Sequence, residues 1–262
     1  MVLSPPLREE TFRELIRIVE KLGSKASFRR ILFEANARGV LSWHRTLRRY
    51  LDLLVLGEVL RVREKDVGSV NPRQTYTLIV KAPRLWTGSK VLQLEGLNWE
   101  VADNDLYQVK VDLSALARAR LLKMDGRKIL ATCIEDALVY NLKRDLEEET
   151  GGIELVAGML ATRPVDLSYL LRRADALRIG GVVRSLMERL IEIFTGKVGD
   201  AEAKTFMETR KRFLTIAKTY RERGLIQLLD RHARRKSQVR IVAGLSPAQI
   251  VSAAGKQLGV SG

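Results

Sequence analysis

The stretch that decides the fold of this chain is SWHRTLRRYLDLLVLGEVLRV, residues 42–62. Its first part places apolar side chains at helical spacing and predicts an amphipathic helix over residues 43–56. Ser42 is the predicted N-cap of that helix, and Gly57 is the predicted C-terminal cap. The residues that follow alternate between charged and apolar types, which is typical of a half-buried strand over residues 58–64.

Two helices are predicted before this stretch, and a turn and a strand after it. Apolar residues at helical spacing occupy residues 12–22 and indicate the first helix. The second helix begins near Ser27 and ends at a short turn over residues 37–39. Residues 65–73 are rich in Gly, Ser, Asn and Pro, and they separate the first strand from a second one over residues 74–80.

The order helix, helix, helix, strand, turn, strand resembles that of the winged helix of many transcriptional regulators. The resemblance covers residues 8–81, and it implies a third helix that enters the major groove of DNA. The side of this helix opposite its apolar stripe is basic in its first half, and the strands add further cations. The predicted DNA-binding residues are His44, Arg45, Arg48, Arg49, Arg61, Arg63, Lys65 and Arg73. Winged helices also serve as protein-contact modules, so another protein is the alternative partner. The basic residues favour double-stranded DNA.

Composition favours a polyanionic partner and argues against several kinds of site. The 262 residues include 46 Lys and Arg against 31 Asp and Glu, a formal net charge of +15. This excess favours nucleic acid, although a protein adapted to high temperature would also carry many charges. One cysteine, Cys133, and two histidines, His44 and His232, argue against disulfides, Cys/His metal sites and a Ser-His-Asp hydrolase. We predict no catalytic residue, no metal and no cofactor, and a protein that is not an enzyme.

Hydropathy gives no indication of a membrane partner. No apolar run approaches the roughly 18 residues that are needed to span a bilayer. The first ten residues, MVLSPPLREE, lack the apolar core of a signal peptide. These features predict a cytoplasmic protein.

Residues 83–198 are predicted to form a mixed α/β domain. The segment PRLWTGSK is typical of a connector, KVLQLEGL, YQVKVDL and GRKILATC are typical of strands, and residues 114–123 of a short helix. Four helices are predicted next, over residues 134–149, 152–161, 165–177 and 181–194. With a winged helix in residues 1–82 and a basic helical region in residues 199–262, the predicted fold class is α+β and mostly helical.

The order of elements over residues 127–190 resembles the C-terminal domain of AbiEi-type antitoxin regulators. The strand KILATC is followed by IEDALVYNLKRDLEEE and later by VDLSYLLRRADALRIGGVVRSLMERL. Ile134-Glu135-Asp136 matches a Glu-bearing helix start in that family, where an acid suits the positive end of the helix dipole. The resemblance spans about residues 10–195 and implies a regulator that binds repeats near its own promoter and opposes a partner toxin. A homodimer is a further hypothesis, because winged-helix regulators usually bind two half-sites.

A group of acids supports an alternative function. Gly88-Ser89, followed by Asp103, Asp105 and Asp112, resembles the nucleotidyltransferase pattern of a phosphate-binding turn and magnesium-binding strand carboxylates. The chain departs from that pattern at Asn104, where a buried strand needs an apolar residue, and the surrounding residues are typical of a turn. A nucleotidyltransferase-like enzyme is thus one alternative. A replication or RNA-associated factor that uses the same basic surfaces is another.

The C-terminal region is predicted to carry a second basic surface. Residues 207–240 contain eleven Lys or Arg and three acids, a net charge of +8. The candidate phosphate-contacting residues are Arg210, Lys211, Arg212, Arg231, Arg234, Arg235 and Lys236. The alternative interpretation is a solvated helix face whose long side chains cover an apolar core.

Overall fold

The computed structural model describes residues 7–65, 73–93, 106–124, 126–148, 153–163 and 165–195. The chain divides into two compact units, residues 1–133 and residues 134–262. Unit one combines helices with two sheets, and the described part of unit two is helical. The predicted α+β class is confirmed.

Unit one begins with three helices and a two-stranded sheet. The helices are α1 (Glu9–Leu22), α2 (Phe28–Ala37) and α3 (His44–Leu56). The strands β1 (Leu60–Lys65) and β2 (Arg73–Leu78) pair antiparallel. The predicted order of these elements is confirmed. The centre of the predicted turn, residues 66–72, lies outside the described residues.

A short bridge that the sequence did not predict ties the start of α2 to this sheet. Ser27, just before α2, pairs antiparallel with Thr75 of β2. The Tyr76 amide donates a hydrogen bond to the Ala26 carbonyl at 2.8 Å. The segment between α1 and α2 therefore pairs with β2 over a short distance, next to the two-stranded sheet.

The three helices pack through the apolar stripes that the sequence predicts. Their buried residues are Phe12, Leu15, Ile18 and Val19 of α1, Ile31 and Ala35 of α2, and Leu47, Tyr50, Leu51 and Leu54 of α3. The rings of Phe12 and Tyr50 meet edge to face, with 4.6 Å between their centroids. The Tyr50 hydroxyl also accepts a hydrogen bond from the Arg8 amide at 2.9 Å. This packing fixes which side of α3 remains exposed.

The end of α3 is a Schellman motif in which glycine does not take the left-handed position. The Val59 amide donates to the Leu54 carbonyl at 2.8 Å, and the Glu58 amide donates to Val55 at 3.0 Å. Gly57 is the C-cap, as predicted, but its φ is an ordinary −81° and Glu58 has the positive φ of 59°. A Cβ on Gly57 would lie 3.1 Å from the Leu53 carbonyl oxygen and 3.3 Å from the Leu116 side chain, so a larger residue there would require its neighbours to shift by a few tenths of an ångström.

A four-stranded sheet completes unit one. The strands β3 (Arg84–Gly88), β4 (Leu106–Lys110), β5 (Arg120–Met124) and β6 (Arg127–Ala131) lie in the order β4-β3-β6-β5. Short helices follow two of the strands: α4 (Ser89–Gln93) follows β3 and α5 (Leu113–Arg118) follows β4. The strands predicted in YQVKVDL and GRKILATC are confirmed as β4 and β6.

Three predictions in this region were wrong. The segment predicted to be a connector forms β3, an interior strand that pairs antiparallel with β4 and parallel with β6. The start of the predicted strand KVLQLEGL belongs to α4. The helix predicted over residues 114–123 ends at Arg118, and the following residues form β5. For β3, pairing with the distant strands β4 and β6 overrides local preference, whereas β5 pairs with β6, the next strand in the chain.

The three-helix segment and the four-stranded sheet lie in one compact unit, residues 1–133, whereas the sequence predicted a domain boundary after residue 82. The reason is a set of bonds between the end of α3 and the four-stranded sheet. The Arg84 amide donates to the Gly57 carbonyl at 2.9 Å. The Glu58 carboxylate lies 3.6 Å from the Arg84 guanidinium and accepts a hydrogen bond from Gln108 at 3.2 Å.

The described part of unit two consists of α6 (Ile134–Glu148), α7 (Ile153–Thr162), α8 (Leu167–Ala176) and α9 (Gly180–Thr195). The four helices predicted for this region are confirmed within a few residues at each end. The Asp166 side chain caps α8 by accepting a hydrogen bond from the Tyr169 amide at 3.0 Å. The predicted basic helical region, residues 199–262, lies outside the described residues.

The described helices do not include a segment that is both long enough and apolar enough to cross a membrane.

Candidate nucleic-acid interface

The exposed side of α3 carries the predicted basic residues. His44, Arg45, Arg48 and Arg49 are all exposed, and so is Asp52 one turn later. Their exposure follows from the buried apolar stripe on the opposite side of the helix. The prediction that the first half of α3 presents cations to solvent is confirmed for these side chains.

The start of α3 differs from the prediction. The helix begins at His44 with Trp43 as its N-cap residue, and no side chain makes a capping hydrogen bond there. Ser42 therefore lies one residue before the N-cap and does not satisfy a free amide of the first turn. The Trp43 side chain is 74% exposed.

Arg48 is held against the domain by two neighbours from other elements. Its guanidinium carbon lies 5.2 Å from the centroid of the Phe28 ring, at the start of α2. Its charge also acts on Tyr76 of β2: burial raises the pKa of the Tyr76 hydroxyl, Arg48 partly lowers it, and Asp52 raises it. The contact with Phe28 restricts Arg48 more than an isolated surface arginine would be restricted. Because this contact joins two different helices, the sequence alone does not predict it.

The two strands place further cations on the surface. Arg61 and Arg63 of β1 are exposed, whereas Leu60 between the helix and these residues is buried. Arg61 stands opposite Thr77, and Arg63 stands opposite Thr75. The backbones of Lys65 and Arg73 pair at the open end of the ladder, but their side chains lie outside the described part of the structure.

The arginines of α3 and β1 have no acidic partner within the part of the chain that the structure describes. Within the described residues, none of the following forms an ion pair: Arg45, Arg48, Arg49, Arg61 and Arg63. We call these five residues the unpaired arginines. Because an unpaired, solvated guanidinium keeps its full charge toward an incoming ligand, they form the strongest positive feature that the sequence predicted in this unit.

The cations of α1 are arranged in the opposite way. Arg13 pairs with Glu9 one turn earlier at 2.5 Å, and Arg17 pairs with Glu14. Lys21 reaches Glu34 of α2 at 3.2 Å. The net field of this surface is therefore weak although it also contains basic residues, which shows that a count of Lys and Arg alone does not locate the cationic surface.

Two further exposed arginines were missed from the sequence. Arg29 and Arg30 lie in the first turn of α2, next to Phe28, and neither forms an ion pair within the described residues. They were overlooked because no apolar pattern distinguishes them from an ordinary solvated helix face. Only the structure shows that these two arginines lie beside the contact between Phe28 and Arg48, and this position places them next to the candidate interface.

The residues of the nucleotidyltransferase alternative are not brought together in the described residues. Asp112 lies beyond the end of β4, where it caps α5 by accepting hydrogen bonds from the Ala115 amide and the Ser114 hydroxyl, each at 2.9 Å. Asp103 and Asp105 lie outside the described residues. Among the described residues, no group of three or more His, Cys, Asp or Glu is arranged to hold a metal ion.

The acids at the start of α6 make structural contacts in unit two. Asp136 is fully buried, accepts a hydrogen bond from the Tyr169 hydroxyl at 2.8 Å and lies 2.5 Å from Nε of Arg173. Glu135 accepts a hydrogen bond from the Asp166 amide at 2.8 Å. Both acids lie in the first turn of α6, where the sequence predicted an acid, and their side chains also join α6 to the start of α8.

The second predicted basic surface cannot be placed, because its residues lie outside the described part of the chain: Arg210, Lys211, Arg212, Arg231, Arg234, Arg235 and Lys236. Comparison with known proteins identifies no relative: no family model, curated protein or solved structure matches this chain.

Proposed function

We propose that the first eighty residues are a winged helix that binds double-stranded DNA with α3 as its recognition helix. The observation that carries this proposal is the set of unpaired arginines on α3 and β1, beside a neighbouring surface whose cations are paired. A duplex offers a dense row of phosphates, and unpaired arginines can contact them without first losing an internal partner.

The dimensions of α3 suit the major groove. Its 13 residues form a helix of about 20 Å at 1.5 Å per residue. A groove roughly 12 Å wide accepts one helix, with the N-terminal residues of the helix nearest the base edges. In this arrangement Arg45 and Arg49 reach toward bases or phosphates. Arg61 and Arg63, on the strand that follows, supply contacts to the flanking backbone.

The test is binding of a fluorescent duplex by the full chain at several salt concentrations. The informative variant is Arg45→Ala/Arg49→Ala, and the matched control is Arg13→Ala/Arg17→Ala. Each variant removes two exposed arginines spaced four residues apart on one helix, so both change the net charge equally. Alanine is a strong helix former, and neither pair is in the core, so both variants should fold.

We expect the α3 variant to lose roughly tenfold or more in affinity, and its salt slope to decrease by about 0.9 for each lost phosphate contact. The α1 control should stay within about twofold of wild type, since its arginines are already neutralised by Glu9 and Glu14. Equal losses in the two variants would indicate a general charge effect. No binding of duplex by the wild type would contradict the proposal.

Competition experiments separate the proposed function from a replication or RNA-associated role. A regulator of transcription should prefer its duplex to single-stranded DNA and to structured RNA of the same length. The resemblance to AbiEi-type regulators further suggests repeats near the chain's own promoter, a homodimer and a partner toxin. These are proposals with separate tests: binding to the upstream DNA, sedimentation with and without the duplex, and co-purification with the product of a neighbouring gene.

A further inference from the structure

Trp43 is a large exposed residue at the start of the proposed recognition helix. Its side chain is 74% exposed, and within the described residues its ring meets no other ring or cation and its indole N–H donates no hydrogen bond. A single exposed apolar side chain is common on protein surfaces and carries no function by itself. Phe33 on α2 is 73% exposed and illustrates that ordinary case.

The position of Trp43 distinguishes it from Phe33. Trp43 immediately precedes His44 and Arg45, the first residues of α3, and both of those side chains are exposed. In a recognition helix the N-terminal residues are the ones that approach base edges. An apolar ring at the same end of the helix as an exposed arginine is suited to a groove with phosphates along its edges, because the cation would oppose burial against an uncharged protein surface.

The chemistry of the indole narrows the ligand. A buried tryptophan packs its apolar ring and needs an acceptor for its N–H. The major groove supplies both: the thymine 5-methyl group is the apolar feature of its floor, and purine N7 and thymine O4 are acceptors. We propose that Trp43 contacts the 5-methyl group of one thymine and thereby sets the sequence preference at that base pair. This inference rests on the DNA-binding function proposed above.

The experiment combines one change in the protein with one change in the DNA. A duplex is first obtained by selecting from a randomised library with the full-length wild-type chain. Each thymine of that duplex is then replaced in turn by deoxyuridine, which removes only the methyl group. Affinities are measured for wild type, Trp43→Ala, Trp43→Phe and Phe33→Ala, with circular dichroism as the check on folding.

We expect one thymine at which deoxyuridine weakens wild-type binding about fourfold, the effect of one methyl group that is no longer buried. The same replacement should leave the affinity of Trp43→Ala unchanged, because the side chain that senses the methyl group is absent. Trp43→Phe should retain part of the discrimination. The salt slope of Trp43→Ala should equal that of wild type, since an apolar contact releases no counterions.

Four other outcomes would contradict either the inference about Trp43 or the proposed function. Wild-type binding with no methyl-sensitive thymine, or equal sensitivity in wild type and Trp43→Ala, would overturn the inference and leave DNA binding intact. A loss in Phe33→Ala as large as that in Trp43→Ala would also overturn it, since exposure and not position would then explain the effect. Failure of the wild type to select or bind any duplex would refute the proposed function itself.

Discussion

The two units use charged side chains in opposite ways. In unit one the arginines of α3 and β1 are exposed, and none of them has an acidic partner among the described residues. In unit two Asp136 and Arg173 are buried and paired with each other. The difference follows from solvation, because a guanidinium in water needs no partner, whereas a buried one is stable only with a counter-charge and hydrogen bonds. Charges of the first kind are available to a ligand, and charges of the second kind serve the fold.

Substitution of the buried pair is expected to have the largest effect on stability, and it tests whether buried charges in unit two serve the fold. Asp136→Asn keeps the shape of the side chain but removes the carboxylate charge that lies 2.5 Å from Nε of the buried Arg173. We expect the free energy of unfolding to fall by about 3–5 kcal/mol, measured by urea denaturation. Arg13→Ala, which removes one partner of an exposed pair, should cost no more than about 1 kcal/mol. Where enough folded Asp136→Asn remains, its affinity for duplex DNA should match that of wild type.

A double substitution sharpens the same point. Asp136→Asn combined with Arg173→Met removes both buried charges, so the second change should recover part of the stability lost in the first. The Tyr169 hydroxyl, which donates to Asp136, can still donate to the asparagine oxygen. If the two changes instead added fully, the charge on Arg173 would not be the cause of the loss.

Elements set by local periodicity were the part of the fold that could be predicted. The first three helices of unit one and the four described helices of unit two follow from apolar stripes, because a helix that packs on one side must repeat at its own period. β3 could not be predicted, because Pro83 precedes it, Gly88 is its last residue and its buried Thr87 is polar. Thr87 is tolerated there since it accepts a hydrogen bond from Thr132, a residue 45 positions away.

The candidate site shows the same limit. Exposure of Arg45 and Arg49 follows directly from the position of Leu47 and Leu51 on the opposite side of α3. The contact of Arg48 with Phe28 could not be anticipated, because it depends on how α2 crosses α3. The pairing state of each arginine was equally hidden, since Arg38, the residue after α2, lies 3.7 Å from Glu14 of α1, 24 residues earlier. The net charge of the sequence predicts a polyanionic partner. The location of the cationic surface depends on which arginines are paired with acids, and this is seen only in the structure.

A glycine next to a second ion pair tests how tightly charges are held in unit two. Arg184 of α9 makes two 2.6 Å contacts with the Asp175 carboxylate of α8. A Cβ on Gly180 would lie 1.8 Å from Asp175 Oδ1 and 2.5 Å from the Arg184 guanidinium, so the pair occupies the space of a side chain. We expect Gly180→Ala to cost about 1–3 kcal/mol in urea denaturation, because the pair must shift.

The control for this prediction removes the obstruction first. In an Asp175→Ala background the nearest atoms to the new methyl group are absent, and Arg184 can turn away. Gly180→Ala should therefore cost much less in that background than in wild type. An unchanged cost would mean that helix packing, and not the ion pair, requires glycine at this position.

The ionisation of Tyr76 is expected to have the smallest effect on stability. It is informative because Tyr76 is buried beside Arg48, an arginine that we describe as solvated. Burial raises its pKa, Arg48 opposes that rise and Asp52 adds to it. The hydroxyl is neutral in both states below the ordinary value of about 10. Above that pH the unfolded chain ionises first, so stability falls as pH rises toward the pKa of the folded state. Tyr76→Phe should remove this part of the fall.

The neighbours of Tyr76 allow the sign of each charge to be measured. In ultraviolet titrations, with Tyr76→Phe as the reference that identifies its signal, Arg48→Ala should raise the Tyr76 pKa and Asp52→Asn should lower it. Both shifts should shrink when salt is added, because the two charged groups are exposed. An Arg48 whose effect did not respond to salt would be shielded from solvent like the charges of unit two, and it would then belong to the fold and not to the surface available to DNA.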